Sequence, residues 1–363
     1  MTDLYVFEES GSHYWTFQGA DAITQQAMAS PVKAVRKKLT DDAVKKSAAP
    51  AYDTHLGKVY LPRAQGGLVE CDLAKGTSHP FRTEIQYSCV SYVSETQVLY
   101  AGLSSGGTVH SFRAEGGSRG TVAPTPHVIA DASQQSGPDG EFFGMAALHD
   151  SQTNATYLYL TQGKQATRLI THIVDPSKIG GTKIHDDLLS RDHGAVSLGF
   201  AGPRKMQVSV DGKFLVVGFG SDLAKVWLDQ TPPKVQHLYN EFKEHYELQP
   251  EGSSWWYGIR AFGDEWVVVG KDICIQTRGT IAGDCLYIGV FDDSLKLRDA
   301  RNNKIDFDFL DGGVLSPDGQ WAVFSSKCGK CLWAYNPALK QLRKATLEGF
   351  ALESQNYLSM AWR

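Results

Sequence analysis

A repeated strand–turn–strand unit is the feature that most limits what this 363-residue chain can fold into. Its clearest copy spans Gly202 to Val217, where the alternating run Lys205–Val210 precedes Asp211-Gly212 and a second apolar run. An Asp-Gly pair between two such runs is a strong local signal for a β-hairpin. Comparable pairs of runs recur about every 40 to 50 residues, a period that indicates a fold built from repeated sheets.

The repeat predicts a β-propeller, because each unit matches one blade in length. The predicted hairpins pair residues 4–7 with 14–17, 58–61 with 67–72, 97–101 with 107–112, 156–160 with 168–172, 213–217 with 224–228, 265–269 with 285–291, and 320–324 with 330–335. We therefore predict an all-β chain forming one propeller domain over residues 1–363, with seven four-stranded blades. The run Tyr357–Arg363 is predicted to pair with the strand that begins at Leu4, which would complete one blade from both chain ends.

One segment departs from this pattern and predicts a helical insertion at residues 30–47. Ser30 is a suitable N-cap, Pro31 suits the first helical turn, and Val32, Val35 and Leu39 recur at helical spacing. The simplest interpretation is an amphipathic helix with its lysines and arginines in water. The alternative is a basic docking surface.

Composition and charge exclude several classes of partner. The net charge is −4 and the pI about 6.3, so no basic face for nucleic acid is expected. No apolar run approaches the roughly 20 residues of a membrane span, and the first residues lack the pattern of a secretory signal. We expect a cytoplasmic protein that binds a small molecule; a secreted mature form and a protein partner stay open.

In a propeller the inner strands line a central channel, and a ligand is expected at the channel mouth where these strands begin. The residues predicted at these positions are Asp53, Tyr87, Phe142, Phe143, Arg204, Trp255, Trp256 and Asn356. They would form an aromatic wall with Arg204 as a cation. The alternative for the tryptophans is packing between blades.

Short motifs in the C-terminal two-thirds resemble those of the seven-bladed lactonase and carboxy-cis,cis-muconate cyclase family. The matching segments are Pro203-Arg204 with Val210-Asp211-Gly212, Phe143-Gly144-Met145, Arg278-Gly279, and Leu315-Ser-Pro-Asp-Gly319. The resemblance implies a seven-bladed propeller. It also implies that Arg204 and Arg278 correspond to the two arginines of the cyclase site.

The same resemblance implies that the acid and base of the cyclase are missing. Its histidine position falls on Phe143 and its glutamate position near Gly220, and neither residue can transfer a proton. The predicted function is therefore a small-molecule cyclase or isomerase, such as a pericyclase of secondary metabolism. Such an enzyme would fold an apolar or carbonyl-bearing metabolite and activate it through arginine hydrogen bonds.

The alternative is a non-catalytic scaffold of the WD-repeat type that binds a protein. His193, Asp222 and Trp227 are spaced like the hydrogen-bond network of that family. A scaffold of this kind is expected to expose a large apolar patch.

No phosphate-binding loop or dinucleotide motif is present in the sequence, so no cofactor is expected. No metal is expected either, although Cys274, Cys285, Cys328 and Cys331 form two pairs that a zinc ion could join. Disulfides in a secreted protein and free thiols in a cytosolic one are the other interpretations.

Overall fold

The computed structural model describes most of the chain. The described residues are 3–8, 11–25, 31–45, 48–53, 55–105, 107–113, 127–130, 141–162, 168–178, 189–195, 205–208, 213–219, 222–230, 233–237, 254–261, 265–272, 275–277, 280–282, 285–291, 297–304, 310–318, 320–326, 331–336, 338–351 and 358–362.

Within the described residues, the regular structure is all-β apart from two short 3₁₀ helices, Ala20–Thr24 and Pro176–Lys178. In chain order the strands are β1 (Leu4–Glu8), β2 (His13–Gln18), β3 (Val32–Lys38), β4 (Ala51–Asp53), β5 (Lys58–Pro62), β6 (Leu68–Asp72), β7 (Thr77–Phe81), β8 (Tyr87–Val93), β9 (Val98–Leu103), β10 (Thr108–Arg113), β11 (His127–Ala130), β12 (Phe142–Asp150), β13 (Ala155–Gln162), β14 (Arg168–Val174), β15 (Leu189–Ala195), β16 (Lys205–Val208), β17 (Phe214–Phe219), β18 (Asp222–Trp227), β19 (Val235–His237), β20 (Ser254–Ala261), β21 (Glu265–Asp272), β22 (Ile275–Thr277), β23 (Thr280–Ala282), β24 (Cys285–Phe291), β25 (Leu297–Lys304), β26 (Leu310–Leu315), β27 (Ala322–Ser326), β28 (Cys331–Asn336), β29 (Gln341–Glu348) and β30 (Leu358–Trp362). Neither helix is long and apolar enough to cross a membrane, within the part of the chain that is described.

Most of the sheets are four-stranded antiparallel meanders of consecutive strands. Five of them are β4–β7, β8–β11, β12–β15, β16–β19, and β20, β21, β24 and β25. The last of these carries a hairpin, β22–β23, inserted between β21 and β24. An eight-stranded sheet has the order β26-β27-β28-β29-β3-β2-β1-β30. The repeat predicted from the sequence therefore corresponds to a series of similar sheets.

Hydrophobic clusters between consecutive sheets hold the described parts together. One joins β1 and β2 to β5 and β6, with Phe7 and Val59 among its members. Others join the β4–β7 sheet to β8–β11, β8–β11 to β12–β15, and β12–β15 to β16–β19. A further cluster joins β27–β29 to β1–β3. Because both of its faces are covered, a strand such as β5 is buried along its whole length.

The two chain ends meet in the eight-stranded sheet. Strand β30 pairs antiparallel with β1, from Leu4 opposite Trp362 to Glu8 opposite Leu358. This is the terminal pairing that the sequence predicted, and it covers the edge of β1.

The helix predicted within residues 30–47 is instead strand β3. Its residues pair antiparallel with β2, from Lys33 opposite Gln18 to Lys38 opposite His13. Val32 and Ala34 are buried and Lys33 between them is exposed, which is strand periodicity. The apolar spacing fitted both periods, and the open edge of β2 decided between them by supplying backbone hydrogen bonds.

We call the first strand of each four-stranded meander, together with β26 and β30, an inner strand. Inner strands contact one another in order: β4 contacts β8, β8 contacts β12, β12 contacts β16, β20 contacts β26, and β26 contacts β30. We call the end of the sheets at which β8 and β12 begin the mouth end.

Candidate functional site

Three inner strands begin with an irregularity in their pairing. The register shifts between Tyr87 and Cys89 in β8, between Phe142 and Gly144 in β12, and between Leu310 and Gly312 in β26. Such bulges change the direction of the side chains near them and are common beside active sites. The recurrence makes the mouth end the place to look for a site.

A group of polar side chains from three consecutive sheets meets at the mouth end. Lys45 precedes β4, Ser104 follows β9, and Glu141 immediately precedes β12. The ammonium of Lys45 donates hydrogen bonds to Ser104 Oγ (2.6 Å) and to Glu141 Oε1 (3.0 Å). The side chains of Lys45 and Glu141 are 26% and 19% exposed, so solvent reaches both. We call these three residues the mouth cluster.

Backbone contacts fix the two connections that carry Lys45 and Ser104. The backbone N–H of Lys45 donates to Pro62 O at the end of β5 (2.8 Å), and that of Ser104 donates to Gln86 O just before β8 (2.9 Å). Backbone hydrogen bonds thus anchor both connections to residues at the ends of neighbouring strands, so the mouth cluster joins anchored segments rather than free loops.

A second ion pair lies beside the first at the same end. Arg63 Nη2 lies 2.8 Å from Asp42 Oδ1, and Arg63 also donates to Gly66 O. Gly67 follows with φ 84°, and its N–H donates to Ile85 O at 2.6 Å. A Cβ at Gly67 would approach Phe81 O to 2.7 Å, so this close contact requires glycine.

Tyr87, predicted as part of the aromatic wall, is fully buried between the β4–β7 and β8–β11 sheets. Its hydroxyl forms a 2.8 Å hydrogen bond with Nδ1 of buried His110. Burial, with a smaller contribution from Arg82, lowers the pKa of His110 to about 4. Burial also raises the pKa of the Tyr87 phenol. The pair is thus a neutral hydrogen bond in the core.

The two adjacent phenylalanines have different environments. Phe142 is fully buried between β8–β11 and β12–β15. It packs against Gly102 and belongs to the hydrophobic cluster that joins these two sheets. Phe143 lies at the bulge and is only half-buried. Phe143 is therefore the more accessible residue of this predicted pair.

Asp53 lies at the other end of the sheets, since it is the last residue of β4 rather than the first. It is buried, and its Oδ1 accepts hydrogen bonds from the backbone N–H groups of His55 and Leu56. It therefore caps the β4–β5 turn. The predicted mouth position of Asp53 came from a strand whose boundaries the sequence did not fix.

The surroundings of Asp53 form a buried polar group. Lys58 and Glu70 make an ion pair of 2.7 Å with side chains 6% and 5% exposed. The rings of Tyr60 and Tyr92 stack with centroids 5.4 Å apart, beside Glu70 and Asp53. Burial raises the pKa of both phenols, so they stay protonated beside the carboxylates. We call these five residues the buried cluster.

The remaining predicted site residues are only partly covered by the structure. Arg204, Arg278 and Asn356 lie outside the described residues. The backbones of Trp255 and Trp256 lie in inner strand β20, and their side chains are outside the description.

Of the cysteines considered for zinc, Cys274 and Cys328 also lie outside the described residues. Cys285 begins β24, whereas Cys331 is a buried free thiol at the start of β28, in a different sheet. Among the described residues no group of three or more His, Cys, Asp or Glu side chains is placed to hold a metal.

Glu141 and Lys45 were missed by the sequence reasoning, which searched for the cyclase acid and base only at Phe143 and Gly220. Glu141 stands two positions before Phe143 and carries the titratable group absent there. Lys45 is 96 residues away in sequence, and only the packing of three sheets brings the two together.

Solved structures resemble this chain over its whole length. A protein from Lactobacillus plantarum is 13% identical with a TM-score of 0.59, and each chain is covered completely. The periplasmic gluconolactonase PpgL of Pseudomonas aeruginosa is 13% identical with a TM-score of 0.56, covering 99% of this chain and 98% of that one. A Bacteroides fragilis protein provisionally assigned as a 6-phosphogluconolactonase is 14% identical with a TM-score of 0.53, covering 100% and 98%.

No protein-family model and no curated relative matches the sequence. Similarity to structures at this low identity shows the fold alone. The chain has the fold of lactonase-like β-propellers.

Proposed function

We propose that this protein is a seven-bladed β-propeller enzyme that converts a small carbonyl-bearing metabolite at its mouth end. The blade count follows from the eight-stranded sheet, which divides into β26–β29 and the group of β30 with β1–β3. Among the described residues, the backbone pairing between these halves is limited to Leu347 with Val32 and Glu348 with Lys33. Two blades from this sheet and the five four-stranded sheets give seven.

The mouth cluster is the observation that carries the enzyme proposal. A partly buried ammonium and carboxylate, contributed by different blades, with the carboxylate directly before bulged strand β12, form the polar group expected at a ligand site. We propose a cyclase or isomerase reaction, with Arg204 and Arg278 as hydrogen-bond donors to the substrate carbonyl and Phe143, Trp255 and Trp256 shaping the pocket. The lactonase-like fold supports small-molecule chemistry at this end.

The scaffold alternative has less support from the described surface. Its expected apolar patch is not found among the described residues, where the exposed large hydrophobic side chains are Leu56 and Leu339. They lie in turns of different sheets, one between β4 and β5 and the other between β28 and β29. Single exposed leucines of this kind are ordinary on monomeric proteins.

Native mass spectrometry of protein purified from its own source tests the proposal. We expect a bound metabolite in the wild type and in Arg343→Ala, which removes an arginine from outer strand β29. We expect Arg204→Ala to lose that metabolite. Equal retention by both variants would place the ligand away from Arg204, and protein without any bound small molecule would favour the scaffold.

A further inference from the structure

We infer that Glu141 is the proton-transfer residue of this enzyme and that Lys45 is its positioning residue. The inference rests on the proposed function and deepens it, because it supplies the acid–base group that the sequence comparison found missing. It also narrows the substrate class to carbonyl compounds that bear an acidic C–H next to the carbonyl.

The position of Glu141 suits a proton-transfer role. It immediately precedes inner strand β12 and stands two residues before Phe143, the bulged residue at the position of the cyclase histidine. A bulge redirects the chain locally, so a residue next to it can serve a site that a regular strand would not present to the channel. With 19% of its side chain exposed, the carboxylate is within reach of solvent and of a small ligand.

The contacts of Lys45 suit a positioning role. Its ammonium bridges Glu141 and Ser104 from a third sheet, and the backbone of Lys45 is fixed to Pro62. A carboxylate that transfers protons must be held in one place relative to its substrate, because small displacements cost large factors in rate. The Lys45 ammonium and the Ser104 hydroxyl supply that restraint.

The neighbouring pair of Arg63 and Asp42 provides the contrast. Its carboxylate has the same 19% exposure and a similar ion-pair distance, 2.8 Å. Asp42, however, lies in the connection before β4 and Arg63 in the connection after β5, and Arg63 is further tied to Gly66. Neither residue immediately precedes an inner strand as Glu141 does, so we assign the pair a structural role only.

The proposed step is an isomerisation by a 1,3-proton shift, which needs no other reactant. In a carbonyl compound whose C=C bond lies one carbon beyond that acidic C–H, the Glu141 carboxylate removes the proton. The C–H electron pair forms a new C=C bond to the carbonyl carbon, and the carbonyl π electrons move onto oxygen, which gives a dienolate. The protonated Glu141 then returns the proton to the far carbon of the enolate system. The C=C bond moves one position, and atoms and electrons balance.

The test uses α-angelica lactone as the probe, since its conversion to β-angelica lactone is this proton shift. Proton NMR in D2O follows both the isomerisation and deuterium entry at the γ carbon. We expect wild-type protein to catalyse the reaction and Glu141→Gln to lower kcat about 100-fold or more. Glu141→Asp, which keeps the carboxylate, should retain part of the activity, and Asp42→Asn serves as the matched control with unchanged kcat.

Lys45→Met separates positioning from simple folding. We expect it to reduce kcat with little change in KM, whereas Lys45→Arg, which keeps a cation beside the carboxylate, should retain more of the wild-type kcat. Melting temperatures of all variants show whether a loss of activity reflects unfolding.

Each outcome decides a different point. Wild-type turnover that survives in Glu141→Gln overturns the assignment of Glu141 and leaves the proposed enzyme intact. A wild-type protein that neither isomerises nor binds the probe overturns both the proposed activity and the role of Glu141. A Lys45→Met variant with an unchanged kcat rejects the positioning role.

Discussion

Two lysine–glutamate pairs occupy opposite ends of neighbouring sheets and differ mainly in burial. Lys58 and Glu70 are joined at 2.7 Å within one sheet and are almost completely buried, whereas Lys45 and Glu141 are joined at 3.0 Å between sheets and stay partly exposed. A buried ion pair is held in place by the cost of leaving either charge alone. A partly exposed ion pair contributes less to stability, and its charged groups can take part in chemistry. The same two residue types thus serve the fold at one end and, as we propose, a reaction at the other.

The strongest way to test this contrast is Lys58→Met. It leaves the Glu70 carboxylate in the buried cluster without its cation, near the carboxylate of Asp53. We expect a loss of about 3–5 kcal/mol in the free energy of unfolding, measured by urea titration. Lys58→Met combined with Glu70→Leu should recover much of the loss, because no unpaired charge then remains. A single variant as stable as the wild type would show that water reaches this cluster.

The second prediction concerns the pH dependence of stability at the mouth end. The pKa of His110 is about 4 in the folded protein, below its ordinary value near 6.5. The unfolded chain therefore takes up a proton at His110 more readily than the folded protein does. The stability contributed by neutral, buried His110 is fully present above pH 6.5 and is lost as the pH falls toward 4. Relative to His110→Gln, the wild type should lose roughly 2–3 kcal/mol between pH 7 and pH 4.

The control for that measurement is His79→Gln. His79 lies on strand β7 and is exposed, so this variant repeats the same chemical change without altering the Tyr87–His110 pair. An identical pH response of the wild type and His110→Gln would contradict the buried, neutral state of the Tyr87–His110 pair.

The smallest expected effect is on the stability of the mouth cluster. Glu141→Gln should lower the free energy of unfolding by about 1 kcal/mol or less, since a partly exposed ion pair contributes little. Chemical denaturation of this variant and of Lys58→Met under the same conditions compares the unfolding free energy contributed by the ion pair at each end of the sheets. A loss as large as that of Lys58→Met would assign the mouth cluster to the fold and remove the contrast drawn above.

Much of the fold followed from the sequence because hairpins are local. The pairing of Leu4–Phe7 with Tyr14–Phe17 is observed in register, with Leu4 opposite Phe17. When runs of alternating β-branched and aromatic residues lie on either side of a short turn, each strand has its pairing strand close by in the sequence. The segment at Val32–Lys38 was misassigned for the opposite reason, since its partner strand β2 is separated from it by a 3₁₀ helix and its apolar spacing fits either period.

The candidate site was less predictable than the fold. A residue type shows whether a side chain can donate, accept or stack, but not which end of a strand it occupies. Asp53 and Phe142 carried suitable chemistry, yet one caps a turn at the far end of β4 and the other fills the core. Lys45 and Glu141 stood in segments without a motif.

The sequence alone therefore determined the repeat, the all-β class and the pairing of the terminal strands, because these depend on short-range periodicity and on turn residues. Tertiary structure decided which polar residues meet. The mouth cluster needs three sheets packed side by side, and the buried cluster needs β5, β6 and β8 in contact. Burial, which separates a structural ion pair from an accessible one, is a property of that packing and has no signature in the order of the residues.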